Sequence, residues 1–166
     1  MDRLKEVVKQ QQQQENEVVE NENIVQLVGF FVGEEEFAVP ILSIQEIIKP
    51  VEFTRVPSTP DYVLGVFNLR GSVIPLIDLR LKFGLEEAKQ NDDTRYIVIK
   101  NNNEVAGFVI DKLTEAIRIK ENLIDPIPET HEEGELIYGV GKKDDRIFTI
   151  LKIEGLLKRT WDVPAS

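Results

Sequence analysis

From Ile24 onward, short apolar runs alternate with short polar breaks. Ile24 to Phe31 is largely apolar in both registers, the pattern of a strand buried on both faces. Gly33-Glu34-Glu35 reads as a polar turn and Glu36 to Val39 as the returning strand. Pro40 ends that hairpin, because a proline nitrogen has no hydrogen to give a ladder. Ile41-Leu42-Ser43 turns a corner into a third strand, Ile44 to Ile48. Val51 to Val56 alternates at period two between prolines and predicts a half-exposed strand. Asp61 to Leu64, after Pro60, predicts one helical turn. Gly65 to Leu69 and Val73 to Asp78 predict hairpin arms around Arg70-Gly71-Ser72, since glycine tolerates positive φ. Leu79 and Phe83, four residues apart, predict a short helix.

Glu86 to Asp93 is polar and aperiodic, the clearest internal break. Thr94 to Lys100 and Glu104 to Ile110 predict a hairpin across Asn101-Asn102-Asn103, since asparagine tolerates the left-handed region. Asp111 to Ile119 continues as strand. Pro126, Pro128 and the acidic stretch Glu129 to Glu135 mark a loop. Leu136 to Gly141 and Arg146 to Ile153 flank Lys142 to Asp145 as a third hairpin, and Glu154 to Arg159 predicts a closing helical turn. About ten short strands with little helix predict an all-β barrel or sandwich.

Residues 1–22 stand apart. They hold five consecutive glutamines, Gln10 to Gln14, and six acids against three bases. Leu4, Val7 and Val8 give an apolar edge too small to offset the ordering entropy alone. The segment predicts a flexible, solvated tail; the alternative is a segment that becomes helical on a partner.

Composition narrows the function. At 166 residues and 42% hydrophobic, the chain has enough apolar material for one folded domain. Thirty acids against 20 bases give a net charge of -10. That argues against nucleic acid as a partner, because duplex-reading domains are usually basic. With no cysteine there is no disulfide, no thiol nucleophile and no thiolate-bound metal. His131 is the single histidine, which excludes a multi-histidine metal site. No apolar stretch suits an export signal or a membrane span, so a cytoplasmic protein without membrane insertion is expected.

Catalytic chemistry finds little support. His131 lies in an acidic, proline-flanked loop and reads as a surface residue. No nucleophile elbow and no glycine-rich phosphate loop is present. The acid clusters Glu34-Glu35-Glu36, Asp92-Asp93, Glu132-Glu133 and Asp144-Asp145 fall in predicted turns, read as solvated charge, and lack calcium-loop spacing. A paired-carboxylate glycosidase would need two acids in one cleft, and nothing points to that. No catalytic residue, metal or cofactor is expected. Arg70 reads either as a solubilising turn charge or as something more informative: an arginine at a turn on a rigid sheet presents a planar fork of donors at low entropic cost, which suits a protein interface. Asp78 and Arg80 read as a local pair or as a helix cap.

The same stretch carries a resemblance. Asn68-Leu69-Arg70-Gly71, Ile74-Pro75 and Asp78-Leu79-Arg80 resemble the signature of the CheW family of bacterial chemotaxis coupling proteins. Ile44-Gln45-Glu46-Ile47, Arg55-Val56-Pro57, Pro60 to Val66 and Gly107 to Asp111 fit the family in order and spacing, over about Ile24 to Leu157. The resemblance implies two small SH3-like five-stranded β-barrels around a shared apolar core, with short helical turns. The folded part would be 23–159, with the polar break near 86–93 and a C-terminal tail at 160–166 that is either flexible or docked.

The resemblance also implies a non-catalytic adaptor. Its partners would be the regulatory domain of the histidine kinase CheA and the cytoplasmic tip of methyl-accepting chemoreceptors, so that a cytoplasmic protein is recruited to membrane-associated receptor arrays. The receptor-binding residues would be Ile44, Glu46, Gly65, Arg70, Gly107 and Val109. Glu46 and Arg70 would give polar contacts. Ile44 and Val109 would give apolar contacts, with a place in the core as the competing reading. The kinase-binding surface is expected near Val51, Phe53, Arg55 and Val56. The alternative is a small β-barrel binding module for another protein or peptide.

Overall fold

A computed structural model describes residues 23–87, 89–128, 130–159 and 161. The expected N-terminal tail, and residues 160 and 162–166 of the C-terminal one, lie outside the described residues.

The chain forms eleven strands among those residues. They are β1 Ile24–Val32, β2 Glu35–Pro40, β3 Ile44–Ile48, β4 Val63–Leu69, β5 Ser72–Asp78, β6 Arg95–Asn101, β7 Glu104–Ile110, β8 Lys112–Lys120, β9 Ile124–Pro126, β10 Ile137–Lys143 and β11 Arg146–Leu151. Two short helices, α1 Leu79–Lys82 and α2 Ile153–Leu157, follow β5 and β11. The turns obey local chemistry. Arg70 and Gly71 have φ of 51° and 88°, and Asp144 and Asp145 have φ of 50° and 63°. Two left-handed central residues are what a tight two-residue hairpin needs to match strand twist. Asn102, at φ 56°, turns the β6–β7 hairpin.

Two sheets result. One runs β8-β1-β2-β11-β10-β9 and the other β3-β6-β7-β5-β4. Each contains one parallel contact, β2 with β11 and β5 with β7, between antiparallel pairs. The pairing pattern is therefore the same in both lobes, with α1 and α2 in equivalent places. The all-β architecture of two small SH3-like barrel lobes around a shared core is as expected; the sheets curl without fully closing, and one has six strands rather than five. In the five-stranded lobe a single bridge nearly closes the seam: Thr54 and Val66 exchange two backbone hydrogen bonds of 2.8 Å.

The alternation of strand side chains sorts the apolar residues into three cores. Leu27, Ala38, Ile117, Phe148 and Ile150 fill the six-stranded lobe. Phe67, Leu76, Tyr96, Val98 and Val109 fill the other. Between the lobes lies the largest core, with Phe30, Phe37, Ile97, Phe108, Leu156 and Trp161. Strands β6 and β7 feed both neighbours: Tyr96 and Val98 point one way, Ile97 and Ile99 the other. This is why they read as continuous apolar runs.

Several local expectations change. Val51 to Val56 is not a strand; only Thr54 pairs. The flanking prolines cannot donate to a ladder, and Phe53 turns in against the five-stranded core. Asp61 to Leu64 is a turn leading straight into β4, with Val63 N–H donating to the Pro60 carbonyl at 3.0 Å. Glu36 is not a solvated turn charge but a buried β2 residue. The polar stretch 86–93 joins β5 to β6 within one sheet, so the division between sheets does not fall there. Trp161 is buried against the central core.

Candidate interaction site

Register brings three of the predicted receptor-binding residues into one row. Glu46 on β3 pairs with Val98, Val98 with Gly107 on β7, Gly107 with Leu76, and Leu76 with Gly65 on β4. The row crosses the whole five-stranded sheet, from one edge strand to the other.

Curling then brings the edges together. Arg70, at the β4–β5 turn, donates Nε to Glu46 Oε1 and a terminal nitrogen to Glu46 Oε2, both at 3.1 Å. The pair is bidentate, the geometry in which arginine binds carboxylate best. Those hydrogen bonds hold the Glu46 carboxyl below the usual carboxylate range, and push the Arg70 guanidinium up. The Arg70 side chain is still 76% exposed, against 22% for Glu46. A fixed cation therefore stands on the surface with donors to spare. The turn itself is held by Gly71 N–H donating to Asn68 Oδ1 at 3.0 Å.

The other predicted positions lie beneath this surface. A Cβ on Gly65 would stand 2.1 Å from the Thr54 carbonyl oxygen. The glycine thus permits the backbone contact that brings 54 against β4. A Cβ on Gly107 would stand 2.7 Å from the Phe67 ring, inside the lobe. Val109 is buried in that same interior and offers no surface for direct apolar contact. Ile44 is half-buried and packs against the central core. The surface part of the set is therefore Glu46 and Arg70, with Ile44 at its margin. Among the positions expected to face the kinase, Val51 and Arg55 are exposed, while Phe53 and Val56 are half-buried.

Charge pairs not foreseen from the sequence lie elsewhere. Arg146, at the start of β11, binds buried Glu36 through Nε at 3.1 Å and through a terminal nitrogen, and also pairs with Glu115. Burial works to raise the Glu36 pKa, but the Arg146 and Thr114 hydrogen bonds outweigh it and the carboxyl ends below its usual range. Arg80 pairs with Asp111 at 3.0 Å rather than with Asp78. Asp78 instead caps α1, accepting from Arg80 N–H at 2.8 Å. The partners lie 31 and 110 residues apart, so no local spacing announces them. His131 is exposed, and its ring accepts from Glu133 N–H. Among the described residues no group of three or more metal-ligating side chains exists, and no helix is long and apolar enough to cross a membrane.

Two curled sheets on a common core, with an anchored arginine across one seam, define a rigid β scaffold whose chemistry is that of an interface. A family model described as a CheW-like domain matches residues 26–160, and the chain belongs to the CheW family of chemotaxis scaffold proteins. It is 60% identical over 141 residues to the chemotaxis protein CheW of Helicobacter pylori, covering 84% of this chain and 86% of that one. It is 31% identical over 135 residues to the chemotaxis protein CheW of Bacillus subtilis, covering 80% and 86%. Its fold matches the crystal structure of the scaffolding protein TtCheW from Thermoanaerobacter tengcongensis, with a TM-score of 0.75 and 33% identity over 82% of this chain and 94% of that one.

Proposed function

We propose that this protein is a non-catalytic scaffold that couples the cytoplasmic tip of chemoreceptors to the histidine kinase CheA. The observation that carries the reading is Arg70, largely exposed yet fixed in place by Glu46 on the family's Asn-Leu-Arg-Gly turn. A pre-positioned guanidinium loses little entropy when it meets a partner carboxylate or carbonyl. Receptor contact falls on Glu46, Arg70 and the exposed margin of Ile44. Gly65, Gly107 and Val109 act beneath them, setting the curvature of the sheet. The kinase contact falls on the extended stretch with Val51, Phe53, Arg55 and Val56, beside the seam. Binding both partners on one rigid body lets a change in the receptor reach the kinase as a difference of binding free energies. The protein would act in the cytoplasm, recruited to receptor arrays.

The test is a pull-down of CheA by this protein with and without a receptor cytoplasmic fragment, followed by a phosphate-transfer assay of the kinase. A ternary complex with altered kinase activity is expected. A folded protein that binds neither partner overturns the reading and leaves a β-scaffold for some other protein or peptide.

A further inference from the structure

A second surface feature lies apart from the Arg70 seam and is independent of the coupling role. A groove of about 610 Å³ runs where the two lobes meet. Its apolar lining is Phe37, Phe83, Leu85, Leu136 and Ile137. The Phe37 and Phe83 rings stack at 4.9 Å, joining β2 of one lobe to the end of α1 in the other. Leu85 is 45% exposed at the edge. The charged lining is Glu35, Glu132 and Glu133, against one cation, Lys82, whose ammonium sits 4.3 Å over the Tyr62 ring. An apolar trough bordered by three carboxylates suits an apolar segment flanked by basic residues.

The chain contains one. Leu4, Val7 and Val8 stand at i, i+3 and i+4, which on a helix share a face. Arg3, Lys5 and Lys9 flank them, so that residues 3–9 carry three bases against one acid, Glu6. In a chain with 30 acids and 20 bases, that local excess of positive charge is against the trend.

The reach suffices. β1 leads from Ile24 to the turn beside Glu35, a span of about 26 Å at the usual strand rise. The thirteen residues Gln10 to Glu22 separate Lys9 from Asn23. A chain of that length extends to about 43 Å.

We propose that residues 3–9 seat in the groove between the lobes, with Leu4, Val7 and Val8 against the Phe37–Phe83 stack and Arg3, Lys5 and Lys9 toward Glu35, Glu132 and Glu133. Tethering makes the contact intramolecular, so a weak intrinsic affinity is enough to populate it. The first residues of the chain then hold a surface that spans both lobes, and a partner with a similar basic, apolar segment would have to displace them.

Absence of cysteine makes the test clean. A Glu6→Cys protein carries a single nitroxide label, and paramagnetic broadening of backbone amide signals is read across the full chain. Signals of Leu85, Glu133 and Leu136 are expected to lose at least half their intensity. A second labelled protein, also carrying Leu4→Asp, Val7→Asp and Val8→Asp, keeps the tether and removes the apolar face. It should recover those signals at least two-fold. A third, with Glu132→Lys and Glu133→Lys at exposed loop positions, should recover them as well. Equal broadening with and without the three aspartates means mere proximity of the tether and overturns the proposal. Unchanged broadening in the charge-reversed protein overturns the choice of a basic occupant. Equal broadening when labelled protein is mixed with an excess of unlabelled, isotope-enriched protein assigns the contact to a second copy instead.

Discussion

Glu46 and Arg70 sit at opposite margins of the five-stranded sheet and meet through two hydrogen bonds of 3.1 Å. Glu46 belongs to edge strand β3, and Arg70 directly follows edge strand β4 in the turn to β5. The pair therefore spans the same seam that the Thr54–Val66 bridge nearly closes. One contact serves the shape of the lobe and the pose of its exposed cation.

Charge reversal by Arg70→Glu is expected to lower receptor-dependent kinase activity at least tenfold in a reconstituted assay. Water screens an exposed ion pair and leaves it little weight in stability. The melting temperature should therefore stay close to that of the wild type. The double variant Glu46→Arg, Arg70→Glu restores the pair with its polarity reversed. Recovery of activity would assign the effect to seam geometry; persistent loss would assign it to direct contact with the partner.

Glu36 is 6% exposed and bound by Arg146. Glu36→Gln weakens that buried pair and should cost about 2–3 kcal/mol. On a chain of this size that is roughly 5–10 °C of melting temperature. The pH dependence has a definite sign. The folded-state pKa is lowered, so the stabilisation is full above the ordinary carboxylate range and is lost as pH falls through the folded value. Urea denaturation of wild type and Glu36→Gln should converge in stability at the acid end of a pH series.

Gly65→Ala places a methyl group 2.1 Å from a backbone oxygen that cannot swing away. Overpacking of this kind costs about 1–3 kcal/mol. The Thr54–Val66 bridge should open, detected as faster amide hydrogen exchange at both residues. Gly107→Ala meets the Phe67 ring instead, at 2.7 Å. It should destabilise by a similar amount while leaving exchange at Thr54 unchanged.

Trp161, the chain's single tryptophan, is 8% exposed in the central core, and its indole nitrogen has no hydrogen-bond partner among the described residues. Trp161→Ala should cost about 3–5 kcal/mol. Trp161→Phe keeps most of the packing and removes the unpaired donor, so it should lie within about 1 kcal/mol of wild type. Denaturation followed by circular dichroism distinguishes the two.

The strands were legible because turn residues carry their own chemistry. Gly71, Asn102 and the Asp144-Asp145 pair mark hairpins whatever surrounds them. Val51 to Val56 misled because alternation also arises when one residue, Phe53, turns inward from an otherwise extended loop. The burial of Val109 was not readable, since β7 is apolar on both faces and period two gives no outward side. Nor was the Arg146–Glu36 pair, whose partners meet only once the last strand is in place. The interface reading of Arg70 rests on a turn motif and a family resemblance. Its attachment to Glu46, 24 residues away, is a product of sheet curvature.

The order of the strands has a consequence for biosynthesis. The six-stranded lobe takes its β1–β2 hairpin from the start of the chain and β8 to β11 from the end, joined by the parallel contact of β2 with β11. The five-stranded lobe is drawn wholly from the segment between them. As the chain leaves the ribosome, the middle lobe has all its strands first. The opening hairpin waits with one apolar face uncovered until β11 emerges, a gap of about 110 residues measured at Glu36 and Arg146. At roughly 5–20 residues per second, that wait lasts several seconds to about twenty. The first two strands to be made are thus among the last to be buried, and premature release would leave their hairpin aggregation-prone.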